Sequence, residues 1–166
     1  RKILEQTFDV LIKNALAQPQ VCVHRDYHSR NLMVDKHDSQ TPGVIDFQDA
    51  VIGPLCYDLV SLLRDCYQNW PDDTIQTILQ RIHHQYYSEH DWTVFKRWFD
   101  LTGVQRHIKA SGIFCRLYHR DNKDNYLKDI PHTLNYIVNV SEHYRELSEF
   151  GQWLASTVIP KMRDTL

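Results

Sequence analysis

His24-Arg25-Asp26-Tyr27-His28-Ser29-Arg30-Asn31 sets a carboxylate and, five residues on, a carboxamide in one short polar segment, and Asp46-Phe47 follows fifteen residues after Asn31. These residue types suit phosphoryl transfer. That reaction asks a protein for a positioned hydroxyl and for neutralisation of charge on the phosphates, and for little covalent chemistry. Asp26 suits the first task, since a carboxylate accepts a hydrogen bond from an attacking hydroxyl and takes its proton late in the reaction. Asn31 and Asp46 suit the second. An amide oxygen binds Mg²⁺ without adding negative charge beside a triphosphate, and a carboxylate adds another hard oxygen ligand. Taken singly, each of the three reads more simply as a turn residue or a cap. The meaning lies in their combination and order.

Three short apolar strands are expected to position them. Val21-Cys22-Val23 leads into the polar segment, Leu32-Met33-Val34 leaves it, and Val44-Ile45 ends at Asp46. Asp35 to Gly43 is polar and reads as a turn, which predicts a hairpin with polar residues at its ends. Residues 1–17 carry Ile3, Leu4, Phe8, Leu11, Ile12 and Leu16 on one helical face, stopped by Pro19. Everything after Pro54 reads as helix. Leu55, Leu59, Leu62 and Leu63 mark one helix, closed before Trp70-Pro71. Asp72 or Asp73 caps a second, and Asp91 a third that runs through Phe95, Trp98, Phe99 and Leu101. Gly103 and Gly112 leave open whether two helices or one kinked helix follow. A loop is expected over 121–125 and the last helices over 131–139 and 141–157, with Pro131 at an early position. The expected fold is mainly α: one helical domain with a small β-hairpin insert.

Composition sets outer limits. The 166 residues suffice for one domain with a sizeable core, and 42% hydrophobic with 24% charged residues is ordinary for a globular protein. A formal charge of -2 gives no basic field for nucleic acid. Cys22, Cys56, Cys66 and Cys115 show no C-x-x-C spacing, and reduced, buried thiols are expected, as in a cytoplasmic protein. No apolar run reaches the length of a membrane span, and no signal peptide is seen. The chain opens at Arg1 in mid-helix pattern and without Met, so a fragment or a processed product is expected.

Val44-Ile45-Asp46-Phe47-Gln48-Asp49-Ala50, Gly53-Pro54, Tyr57-Asp58-Leu59-Val60-Ser61-Leu62-Leu63-Arg64-Asp65, Gln105-Arg106-His107-Ile108-Lys109 and Gly112-Ile113-Phe114-Cys115-Arg116-Leu117-Tyr118 join the opening motif in a wider likeness. The chain resembles the C-terminal lobe of the aminoglycoside phosphotransferase and protein-kinase-like superfamily. Within it, the chain is similar to the bacterial sugar kinases that act on the anomeric hydroxyl of N-acetylmuramate and N-acetylglucosamine. The likeness runs from about residue 1 to 156. It implies a kinase with ATP as co-substrate and Mg²⁺ as cofactor, serving cell-wall recycling. By the same resemblance Asp26 is the catalytic base, Asn31 and Asp46 are the metal ligands, His24 holds the catalytic segment, and Asp58 braces its backbone.

Two positions depart from the protein-kinase pattern. Gln48 stands where those enzymes carry a glycine, and Gln resists the backbone conformations that glycine permits. His28 replaces a lysine two residues after the base, which points away from a protein substrate and toward a small molecule. Arg106 and His107, in a stretch with Lys109 and Arg116, are the expected sugar-pocket residues, against the simpler reading of a solvated helix face. His37-Asp38, His83-His84 and His90-Asp91 do not assemble into a transition-metal site. Trp92, Trp98 and Trp153 are expected in the core more than on a sugar.

Kinases of this type grip the phosphates with a glycine-rich loop and a strand lysine. The five glycines, at 43, 53, 103, 112 and 151, are too scattered for such a loop, and no strand lysine precedes His24. Residues 1–166 are therefore expected to be the C-terminal lobe alone, without its nucleotide-binding N-terminal lobe and with little or no activity by itself. The surface facing that lobe is expected to be apolar and open to dimerisation. Two other functions fit the fold. An antibiotic phosphotransferase would want clustered carboxylates near the C-terminus, but Arg145 offsets Glu142, Glu146 and Glu149, and Lys161 and Arg163 follow. A non-catalytic, pseudokinase-like binding module would have no need of the intact Asp26, Asn31 and Asp46.

Overall fold

Apolar residues at helical spacing form most of the elements, and two small antiparallel sheets carry the polar segment between them. The computed structural model describes residues 1–34, 41–68 and 70–163. Helix α1 (Lys2–Leu16) leads to strand β1 (Gln20–Val23), a 3₁₀ turn (Ser29–Asn31) and the short strands β2 (Leu32–Met33) and β3 (Gly43–Val44). Strand β4 (Val51–Pro54) and helices α2 (Cys56–Leu63), α3 (Asp72–Tyr86) and α4 (Trp92–Asp121) follow. Helices α5 (Ile130–Ser141) and α6 (Ser148–Trp153), a π-helical turn (Leu154–Val158) and α7 (Ile159–Arg163) complete the described chain. The fold is mainly α with a small β-hairpin, as expected.

The chain divides into two compact units, residues 15–102 and residues 1–14 with 103–166. In the first, β1 pairs with β4 in antiparallel register, Gln20 opposite Pro54 and Val23 opposite Val51. Strand β2 pairs with β3, Leu32 opposite Val44. The expected hairpin is the second pair. The expected turn over 35–43 lies mostly outside the described residues, with its last residue, Gly43, in β3. Strand β4 was not among the expected elements. It forms because its partner β1 supplies the pairing from thirty residues away.

The core of this unit is Leu55, Cys56, Val60, Leu63, Ile75, Leu79, Phe95, Trp98 and Phe99. Burying large apolar side chains like these stabilises a fold by about 1.5–3 kcal/mol each. Buried Gln18 joins the elements: its Oε1 accepts from the Cys56 N–H at 3.0 Å and its Nε2 donates to Thr102 Oγ1 at 3.0 Å. The Leu55 N–H donates to the Pro19 carbonyl at 3.0 Å. The start of α2 is thereby fixed to the chain leading into β1.

Helix α4 starts as expected: Asp91 Oδ1 accepts from the Thr93 and Val94 N–H groups at 2.8 and 3.2 Å. Asp72 and Asp73 sit in the first turn of α3, after the N-cap Pro71, and Asp72 pairs with Arg64 at 2.7 Å. Their charge still favours that end of the helix dipole.

Helix α4 runs without a break through Gly103, where the second unit resumes, and through Gly112. Gly103 is there for packing. A Cβ at this position would fall on the Tyr136 hydroxyl, with ring carbon Cζ 2.8 Å away. Helix α5 begins at Ile130 with Pro131 in its first turn and buries Ile130, Leu134, Ile137 and Val140 with Leu147, Phe150 and Leu154 of the segments that follow.

All four cysteines are free, but only Cys56 is buried; Cys22 is exposed and the other two are half-buried. Burial, and then the charge of Asp100, push the Cys56 thiol far above its ordinary range. No helix among the described residues is long and apolar enough to cross a membrane.

Candidate active site

Between β1 and β2 the chain has no sheet partner, so side chains from elsewhere must satisfy its backbone. Asp58, in the first turn of α2, does this for the entry: Oδ2 accepts from the His24 N–H at 2.7 Å and Oδ1 from the Arg25 N–H at 3.0 Å. Arg25 needs that support, because its φ of 77° lies in the left-handed region, a placement that costs on the order of 1–3 kcal/mol for a non-glycine residue. The segment then turns tightly, with the His28 N–H on the Asp26 carbonyl at 3.0 Å and the Asn31 N–H on the His28 carbonyl at 3.0 Å. Asp26 lies at the start of that turn, half-buried.

Asn31 and Asp46 meet. The Ile45 N–H donates to the Asn31 carbonyl at 3.1 Å, which sets Asp46 beside the 3₁₀ turn. His24 holds the same strand end, with Nε2 3.0 Å from the Ile45 carbonyl. That bond places the ring proton on Nε2, and Nδ1 is buried with no hydrogen-bond partner among the described residues. Asp46 follows with φ of 67°, again left-handed, and its carboxylate is exposed. The Asn31 side-chain nitrogen donates to the Asp26 carbonyl at 2.9 Å and to Asp46 Oδ2 at 3.3 Å. With Nδ2 so committed, the amide oxygen is the atom left to bind a cation. A carboxamide oxygen beside an exposed carboxylate is a hard-oxygen donor pair that fits Mg²⁺, which takes its remaining positions from water and phosphate. Among the described residues no group of three or more His, Cys, Asp or Glu is placed to hold a metal ion.

A sequence profile of the phosphotransferase enzyme family matches residues 1–94, which include every residue of this cluster. The chain belongs to that family. A protein from Neisseria meningitidis serogroup B, named N-acetylmuramate/N-acetylglucosamine kinase, is 46% identical over 163 residues, covering 95% of this chain and 48% of that protein. Proteins of the same name from Pseudomonas aeruginosa and Caulobacter vibrioides are 42% and 33% identical, covering 89% and 73% of this chain and 44% and 34% of their own lengths. The chain spans about half the length or less of the curated relatives it matches.

The other expected residues of this phosphotransferase-family chain fall in different places. His28 stands in the segment, its ring edge-on to Tyr67 at 5.8 Å and its Nδ1 buried with no hydrogen-bond partner among the described residues. Gln48 donates through Nε2 to Asp46 Oδ1 at 2.7 Å, a contact that glycine at this position would lack. Arg106 and His107 belong to the second unit. Arg106 is half-buried. His107 is 1% exposed, with Nδ1 2.8 Å from the Gly103 carbonyl and its ring stacked on Tyr136 at 4.3 Å.

Sequence reading passed over Asp65, which is buried and accepts from the Ser29 N–H at 3.1 Å and the Ser29 hydroxyl at 2.6 Å. A signal existed. Asp58 and Asp65 are two carboxylates seven residues apart in a largely apolar run, a spacing that returns to one helix face.

Proposed function

We propose that this chain supplies the acceptor and metal half of an ATP- and Mg²⁺-dependent kinase that phosphorylates a sugar hydroxyl, the anomeric hydroxyl of N-acetylmuramate or N-acetylglucosamine. The observation that carries the reading is the Asn31 side chain, which ties the Asp26 backbone to the Asp46 carboxylate at 2.9 and 3.3 Å. The names of the relatives support the acceptor. Asp26 orients the acceptor hydroxyl and takes its proton as the new O–P bond forms. Asn31 and Asp46 are the residues that would hold Mg²⁺, which when bound would neutralise charge on the transferring phosphates. His28, two residues after Asp26, is the candidate contact to the sugar, through an Nδ1 that has no hydrogen-bond partner among the described residues. His107 carries less of this scheme, because its ring is buried against Tyr136 with Nδ1 on the Gly103 carbonyl; Arg106 stays a candidate for the sugar pocket.

The proposal includes a nucleotide-binding lobe as the partner of this chain. Exposed Met33, Val34, Val44, Ile45, Phe47, Val51 and Ile52 in the sheet-bearing unit support it, because apolar side chains in one small region mark an interaction surface. Cytoplasmic recycling of cell-wall amino sugars follows from the same acceptor.

The full-length protein, given ATP, Mg²⁺ and N-acetylmuramate, is expected to form a sugar 1-phosphate, seen as a new phosphate-ester signal by ³¹P NMR. ATP consumption without that ester, or an ester at another hydroxyl, would refute the proposed reaction.

A further inference from the structure

We infer that Asp65 and Tyr67, just beyond α2, form a second brace of the catalytic segment and set the position of the magnesium ligand Asn31. The inference rests on the phosphoryl-transfer reading of the site. Asp58 fixes the residues before Asp26, through the His24 and Arg25 N–H groups. The residues after it form one 3₁₀ turn, Ser29–Asn31, too short to hold itself. Its N-cap residue, His28, makes no capping hydrogen bond through its side chain. The chain after α2 supplies what is missing. Asp65, only 3% exposed, takes both the N–H and the hydroxyl of Ser29 on Oδ2 and the Tyr67 N–H on Oδ1 at 2.9 Å. That last bond fixes Tyr67, whose ring lies under the Arg30 guanidinium at 3.5 Å and meets the His28 ring edge. Residues 28, 29 and 30 are thus each held by this segment, and Asn31 is the next residue.

A buried carboxylate that accepts three hydrogen bonds is well satisfied and rigid. Positioning of this kind matters to catalysis, because misplacement by about 1 Å can cost about 10²-fold in rate. Asp65 and Tyr67 touch neither acceptor nor phosphate. They are positioning residues for the metal side, as Asp58 is for the base side.

The test uses the full-length protein with Asp65→Ala, Asp65→Asn and Tyr67→Leu, assayed for sugar phosphorylation over a Mg²⁺ titration and by amide hydrogen exchange. Asp65→Ala is expected to raise the Mg²⁺ needed for half-maximal rate about tenfold or more while the KM for the sugar stays within about twofold. Asp65→Asn keeps one acceptor oxygen and is expected to recover most of that loss. Exchange is expected to quicken over residues 28–31 and not in α3. Unchanged Mg²⁺ response and exchange would overturn the inference, and so would equal losses toward Mg²⁺ and sugar. If Asp65→Ala does not fold, Ser29→Ala removes only the hydroxyl bond and is expected to shift the Mg²⁺ requirement about threefold; no shift would overturn the brace. If the unsubstituted protein transfers no phosphate, the functional reading fails, and the exchange over residues 28–31 alone decides the brace.

Discussion

The side-chain nitrogen of Asn31 donates to Oδ2 of Asp46 across 3.3 Å, although fifteen residues separate the two. The contact depends on the Asn31 carbonyl, which takes the Ile45 N–H, and on the left-handed backbone of Asp46. The pairing of β2 with β3 therefore brings two hard oxygen donors to one place.

Replacing either donor weakens the metal side. Asp46→Asn and Asn31→Ala in the full-length protein are each expected to raise the Mg²⁺ for half-maximal rate about 10- to 100-fold. A Mg²⁺ titration at saturating ATP and sugar reads this out. Asp46→Asn keeps the shape of the side chain, so thermal stability is expected to change little.

Asp58 carries structure and activity together. Its two oxygens each hold one backbone N–H, and hydrogen bonds to a charged group contribute about 1.5–3 kcal/mol each. Asp58→Ala is expected to lower unfolding free energy by about 2–4 kcal/mol, measured by urea denaturation. Asp58→Asn keeps one acceptor and is expected to lose about half as much.

Gly103→Ala tests the packing of α4. Alanine is the better helix former by about 1 kcal/mol, but its Cβ would strike the Tyr136 ring. Overpacking of this kind costs about 1–3 kcal/mol, so a net loss of stability is expected. Tyr136→Leu in the same protein is expected to remove the clash, and a double-mutant cycle in thermal melts measures the coupling.

Asp91 gives the helix start a pH dependence. Hydrogen bonds from the Val94 and then the Thr93 backbone hold its carboxyl below the ordinary range. A depressed carboxylate stabilises the fold above its unfolded pKa of about 3.9, and that stability is lost as pH falls through the folded value. Asp91→Ala is therefore expected to lower Tm at pH 7, with the gap from the parent closing below about pH 4. Calorimetric scans across that range show whether the gap closes.

The Asn31–Asp46 contact, the hydrogen bonds of Asp58 to the backbone of residues 24 and 25 and most helices were legible because they are written locally, in motif spacing and in apolar periodicity. What escaped was written in distant partners. Val51–Pro54 is a strand only because β1 lies beside it. Gly103 looked like a helix breaker because Tyr136, which needs the space, lies thirty-three residues on. Asp65 stood in sequence only as a second carboxylate seven residues after Asp58, and its partner Ser29, thirty-six residues back, is visible only in the fold. The burial of His107 against Tyr136 escaped too: its charged neighbours allowed a solvated helix face, and the ring partner twenty-nine residues on is not visible in sequence.

The most direct measurement of the central claim is the rate of sugar phosphorylation by Asp26→Asn in the full-length protein, at saturating Mg²⁺, ATP and N-acetylmuramate. The substitution keeps side-chain size and removes the proton acceptor. The account predicts a fall in kcat of about 10²- to 10⁴-fold with the sugar KM and thermal stability near those of the parent. A kcat equal to the parent's would contradict it.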